Sequence, residues 1–225
     1  MRRYLSWRFW LNLYIQDEFL WALEQATRDF VPKQAMASLR KSIHHHQQQL
    51  YSANAWRIQH PPDWFNLEWT VLVLAAYRAL QAWCRTPEQA TQAIGTSFAA
   101  PFRKFSRLAL IVRYGISPLH PERAFSVVGP RFIPKGEQFF GRSFGYRQDL
   151  LSDQQSFVSI HKCFFNDFFV GNGAPELTRL FCHVDTLFVE QLNKPQYRMR
   201  FERPTAMGYG DDQCRFQFTK TTTEE

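Results

Sequence analysis

Three cysteines fall in the final third of this 225-residue chain, Cys163, Cys182 and Cys214. A thiolate attacks electron-poor carbon or ligates a soft metal, and at neutral pH it exists only beside a cation, a helix N-terminus or a metal. Cys163 shares strand parity with His161, which offers a base and a thiol at one strand end. Cys182 and Asp185 stand three residues apart on a predicted helix and are therefore surface neighbours. Cys214 shares parity with Phe216 and Phe218, so it turns toward the side on which that helix must pack. Cys182 and Cys214 are expected to face each other across the helix–sheet contact. With His161 or Asp185 as a further donor, Cys163, Cys182 and Cys214 would suit a zinc ion or an iron–sulfur cluster, although no C-x-x-C spacing is present. Free cysteine is also among the most buried residue types, so three thiols packed in a core explain the same pattern. Cys84, beside Trp83 at a helix end, reads as core filler.

The elements that must position these residues follow from periodicity. From residue 139 onward apolar residues recur every second position. Phe140, Phe144 and Tyr146 read as one strand face, and Val158 and Ile160 alternate with Ser159 and His161 over 157–163. Met199 and Phe201 alternate with Arg200 and Glu202, and Phe216 and Phe218 with Arg215 and Gln217. Gly171 to Glu176 is a turn that feeds a helix with the stripe Leu177, Phe181, Val184 and Phe188. Before residue 115 the period is helical: Ala35, Leu39 and Ile43 follow Pro32, Leu67, Val71 and Leu74 form a stripe, and Thr86-Pro87-Glu88-Gln89 is a helix start. Gly95 and Pro101 interrupt that last pattern, which resumes from Phe102 to Tyr114. The predicted fold is α+β. A helical region spans 1–115, a proline-rich linker or long loop 116–138, a cysteine-bearing antiparallel sheet with a packed helix 139–220, and a disordered tail 221–225.

Composition narrows the partners. The chain carries a net charge of +7 with 22 Phe, 7 Trp and 8 Tyr. Most of the positive excess lies before Lys135, a field that attracts an acidic protein partner or an anionic membrane surface. The opening residues Arg2, Arg3, Tyr4, Trp7, Arg8, Phe9 and Trp10 fit a peripheral membrane contact or a buried helix. No apolar run approaches the roughly 20 residues of a spanning helix, and no cleavage site follows the basic start, so a cytoplasmic protein with reduced thiols is expected. No nucleic-acid-binding motif accompanies the charge, and specific nucleic-acid binding is not expected. His44-His45-His46 points in three directions from one helix and reads as solvated surface. Phe164, Phe165, Phe168 and Phe169 cluster after Cys163, a density that suits an apolar cofactor as well as a core.

His161-Lys162-Cys163-Phe164, Gly173-Ala174-Pro175-Glu176-Leu177, Leu180-Phe181-Cys182 with Asp185, Phe201-Glu202-Arg203-Pro204-Thr205-Ala206, and Gly210-Asp211 leading to Cys214-Arg215-Phe216 resemble the L-2-amino-thiazoline-4-carboxylic acid hydrolase family. The resemblance covers about the last 80 residues, with looser similarity at Ala75 to Leu80 and Thr86 to Ala90. It implies hydrolytic ring opening of a small cyclic amidine or amide, cleaving a C–N bond and giving an N-carbamoyl amino acid. Carried over, Cys163, Cys182, Asp185 and Cys214 match the family's pattern positions, with Glu176, Arg203 and Asp211 around them. On that reading a thiol such as Cys163, with His161 as base, attacks the ring carbon, or a thiol-held metal activates water. Asp185 or Asp211 orients the base or protonates the ring nitrogen, and Arg203 holds a substrate carboxylate. The alternative is a non-catalytic accessory module that binds a metal, an iron–sulfur cluster or an apolar cofactor and docks through its basic helical half.

Overall fold

The computed structural model describes residues 7–221, and within them the side chains other than those of 7–12 and 103–113. Arg2, Arg3 and Tyr4, the side chains of Trp7, Arg8, Phe9 and Trp10, and the expected tail beyond Thr221 lie outside what is described. The chain divides into two compact units, 1–104 and 105–225.

The first unit is helical, as the apolar periodicity predicts. Helices α1 (Trp7–Ala26), α2 (Met36–Asn54) and α3 (Pro61–Leu80) precede the long α4 (Pro87–Tyr114), which begins in this unit. Asp63 fixes the start of α3 by accepting the backbone N–H of Gln59 and His60 at 3.1 and 2.9 Å. That carboxylate satisfies N–H groups that the first turn leaves unpaired. Leu67, Val71, Leu72 and Leu74 are buried, so α3 is the core helix of its unit. Trp69 meets Phe98 edge-on at 5.6 Å and Phe102 at 5.9 Å. Helix α4 starts at the predicted signal: Thr86 accepts the Gln89 N–H at 3.3 Å, and Gln89 accepts the Arg85 N–H at 2.9 Å. The helix does not break at Gly95 or Pro101, as the sequence led us to expect, but continues through both. His44 and His45 are exposed on α2.

The second unit contains the sheet. After a short 3-10 turn come α5 (Ala124–Phe140), β1 (Tyr146–Leu151), β2 (Gln155–Ile160), α6 (Phe164–Gly171), α7 (Thr178–Leu192), β3 (Met199–Thr205) and β4 (Cys214–Lys220). The strands pair antiparallel in the order β1-β2-β4-β3. The overall class is α+β, with the strands all in the C-terminal unit. Two local expectations are corrected. Residues 124–138, within the stretch 116–138 taken for linker or long loop, lie in α5, and Phe140, expected on a strand, ends that helix, so the first strand begins only at Tyr146.

The reason lies in which side of α5 carries which residue. Ala124, Phe125, Val128, Gly129 and Gly136 are buried, whereas Pro130 and Pro134 are exposed. A carbonyl that loses its partner to a proline on the outer side still reaches water, so the helix tolerates both. The glycines let the backbone lie close to the sheet. A Cβ at Gly129 would stand 3.2 Å from the Ser156 Cβ, and one at Gly136 would stand 2.8 Å from the Tyr146 ring. Ser156 uses that proximity to donate to the Gly129 carbonyl at 3.2 Å.

On the covered face of the sheet Phe201 stacks on Phe218 at 4.6 Å, and Phe132 of α5 meets Phe216 and Phe218 at 5.1 and 5.0 Å. Burying each such ring contributes about 2–3 kcal/mol of transfer free energy. The phenylalanines of α6 join this core. Phe164, Phe168 and Phe169 are buried, and Phe165 packs on Phe181 at 4.4 Å and on Phe144 at 5.1 Å. The rings that the sequence offered as a cofactor lining thus pack on one another. Among the described residues, no helix is long and apolar enough to cross a membrane.

Candidate active site

Cys214 opens β4 on the covered face, in line with Phe216 and Phe218, as strand parity predicts. Cys182 lies within the buried stripe of α7, with Thr178, Phe181 and Leu187, rather than at its edge. Cys163 does not end a strand. Strand β2 stops at Ile160, and Cys163 takes the N-cap position of α6, buried like the other two. The three thiols lie within electrostatic reach of one another, although burial is the larger influence on each. Charge on Cys214 or Cys182 disfavours the thiolate of Cys163, and charge on Cys214 disfavours that of Cys182.

What joins Cys182 and Cys214 is the loop between β3 and β4. Its 3-10 turn, Met207 to Tyr209, lies directly on the first turn of α7. A Cβ on Gly208 would stand 2.8 Å from the Cys182 sulfur and 3.2 Å from the Arg179 nitrogen, so only glycine fits without displacing the turn. The loop also presents N–H groups to sulfur. Met207 donates to Cys214 Sγ at 3.3 Å, and the Gly208 N–H favours the thiolate of Cys182. Asp211 closes the same loop by accepting the Ala206 N–H at 2.8 Å.

Arg203 of β3 ties the loop to α7. Its guanidinium, with a side chain only 8% exposed, donates to Asp185 at 2.6 Å and to the Cys182 carbonyl at 2.7 Å. Burial pulls the Arg203 pKa down, but Asp185 and the thiols outweigh it and the net shift is upward, so the charge is retained. This buried cation favours both Cys182 and Cys214 as thiolates. Burial wins nonetheless. It pushes the Cys163 thiol well up, and, with Asp185 adding to it, pushes Cys182 up to about 11 and raises Cys214 as well. At neutral pH all three rest as protonated thiols.

The sequence-predicted residues therefore sort into two groups. Cys182, Cys214, Asp185 and Arg203 gather at the Gly208 turn, and Cys163 lies within electrostatic reach of the other two thiols; His161 and Glu176 do not join them. His161 is exposed, and its ring lies against Gly145, where a Cβ would come within 2.6 Å of Nε2. The expected pairing of that imidazole with Cys163 does not form, because the chain leaves the strand at Ile160 and strand parity no longer applies. Glu176 is half-buried in the 3-10 turn before α7, and no interaction among the described residues joins it to a thiol. Asp211 is a loop clasp, and Arg203 has its guanidinium committed to protein groups. The thiols, although convergent, do not form the expected metal site. Among the described residues no group of three or more His, Cys, Asp or Glu side chains is placed to hold a metal ion. Sequence reasoning overlooked the contact of Gly208 with Cys182, for which the only signal was the glycine spacing of Gly208-Tyr209-Gly210.

The fold and the site together define an α+β protein with thiols held between one helix and one glycine turn. The chain belongs to the L-2-amino-thiazoline-4-carboxylic acid hydrolase family, which matches residues 64–218, more than half of its length. The match reaches upstream of the sheet through α3 and α4, where the sequence alone showed only loose similarity. A comparison with curated proteins finds no match.

Proposed function

We propose that the protein hydrolyses a small, carboxylate-bearing cyclic amidine or amide, opening its ring with a thiol held beneath the Gly208 turn. The observation that carries this reading is the meeting of Cys182, Cys214, Asp185 and Arg203 at that turn, in a chain of this family. A thiol pushed up to about 11 is protonated at neutral pH and a weak nucleophile in that form. An amidine is a cation at neutral pH, and its charge against Cys182 favours the thiolate as any neighbouring cation does. Asp185, one helical turn from Cys182, is the nearest carboxylate on that helix to carry the proton.

The thiolate adds to the ring carbon between the heteroatoms. The bond from that carbon to one ring heteroatom then breaks, and the heteroatom leaves with a proton. That bond is C–N in a cyclic amidine or amide, and C–S where an aminothiazoline gives an N-carbamoyl product. Water adds to the thiol-bound carbon, the bond to Sγ breaks, and sulfur recovers its proton, so one water is consumed per ring opened. The N–H groups of Met207 and Gly208 hold the two sulfurs during these steps, and Arg203 acts as a positioning residue rather than as a substrate clamp.

Ring opening of L-2-amino-thiazoline-4-carboxylate by the purified protein is the assay. Cys182→Ala and Cys214→Ala are each expected to lower turnover by at least about 100-fold with the fold retained by circular dichroism. Full turnover in both variants would remove the thiol mechanism.

A further inference from the structure

Arg203 is poorly placed as a carboxylate anchor, because its side chain is buried and its charge is already paired with Asp185, with the same Nη1 also donating to the Cys182 carbonyl. A second arginine stands at the same turn. Arg179, on the first turn of α7, donates through Nε to the Gly208 carbonyl at 3.1 Å. That bond fixes the base of an exposed guanidinium, and its two terminal nitrogens have no partner among the described residues. The backbone nitrogen of Arg179 lies against the same Gly208 position that covers the Cys182 sulfur.

Two further features mark this spot as built to receive something. Tyr209, 54% exposed, places its ring 5.8 Å from the Arg179 guanidinium and 6.0 Å from that of Arg203. It is an aromatic wall between one free cation and one committed cation. Thr178, only 1% exposed, has a hydroxyl with no hydrogen-bond partner among the described residues, one helical turn from Cys182. A buried hydroxyl without a protein partner is a place for a water or a ligand atom.

The geometry points to Arg179 as the group that recognises the carboxylate of the ring substrate, with the ring of Tyr209 beside it and the amidine carbon over Cys182. This inference rests on the hydrolase reading and adds the residue that selects the carboxylate of that substrate class. Anchoring through two terminal N–H groups suits a carboxylate, which accepts two parallel bonds from such a fork.

Binding is measured by calorimetry on the full chain, with L-2-amino-thiazoline-4-carboxylate and with 2-aminothiazoline, which lacks the carboxylate. The intact protein is expected to bind the carboxylate at least about tenfold more tightly than the bare ring. Arg179→Gln is expected to remove that preference while leaving affinity for the bare ring unchanged, and Arg179→Lys to restore part of it. Where turnover is seen, Arg179→Gln should raise KM with kcat little changed. Tight carboxylate binding that depends on Arg179 without any turnover supports the anchor and removes the hydrolase reading. Unchanged preference in Arg179→Gln, or no preference in the intact protein, overturns the anchor.

Discussion

The sheet carries an arginine–aspartate pair on each face, and the two pairs have little in common beyond their residue types. On the covered face Arg203 and Asp185 are 2.6 Å apart, with the arginine side chain 8% exposed, and the pair joins β3 to α7 beneath the thiols. On the open face Arg147 and Asp149 are 2.8 Å apart, with the arginine 61% exposed, and the pair lies along one strand beside Ser159. A cleft of about 280 Å³ runs over that open face, lined by Arg147, Asp149, Ser159 and Arg215. By the usual search for concave polar surface the open face would be the site, yet its carboxylate already serves Ser159 and Arg147. The covered face has the less conspicuous shape and the more perturbed chemistry. Burial there does two jobs: it makes the ion pair structurally costly to lose, and it keeps the thiols protonated at neutral pH.

The contrast can be broken by removing one arginine at a time. Arg203→Gln should cost about 2 kcal/mol of stability in chemical denaturation, because Asp185 and the Cys182 carbonyl lose a charged donor in a partly desolvated place. The same change should remove turnover almost entirely. Gly208→Ala comes next: its Cβ must displace either the Cys182 sulfur or the backbone of α7. A loss of about 1–2 kcal/mol is expected, with turnover reduced at least tenfold as the turn lifts off the thiols. Arg147→Gln should move stability by less than about 1 kcal/mol and leave turnover unchanged, as for an exposed pair. Should Arg147→Gln prove the more damaging of the two arginine changes, the assignment of faces is inverted.

Much of the C-terminal unit was legible because strands with one covered face advertise themselves by parity. Cys214, Phe216 and Phe218 were placed on the buried side by alternation alone, and Thr86, Pro87 and Gln89 announced α4 through their capping chemistry. Helix α5 was illegible because Pro130 and Pro134 weigh as breakers in a local reading. Their exposure, and the close approach of Gly129 and Gly136 to the sheet, are set by tertiary packing. Parity failed for His161 and Cys163 for a related reason, since it holds only while the strand lasts. Arg203 was recognised as important through the family's pattern, but its partners are 18 and 21 residues away in sequence, and no spacing rule connects them. Arg179 carried no signal, because what sets it apart is the Gly208 carbonyl brought to it by the fold.

The central claim is that buried thiols at 182 and 214 share one electrostatic site under the Gly208 turn. Carbon-13 labelling at cysteine Cβ, followed by NMR across pH 7 to pH 12, tests it directly. Cys182 should titrate near pH 11, well above an ordinary thiol at about 9, and its midpoint should fall when Cys214 is replaced by serine. Titration near 9 that ignores the state of residue 214 would contradict the account.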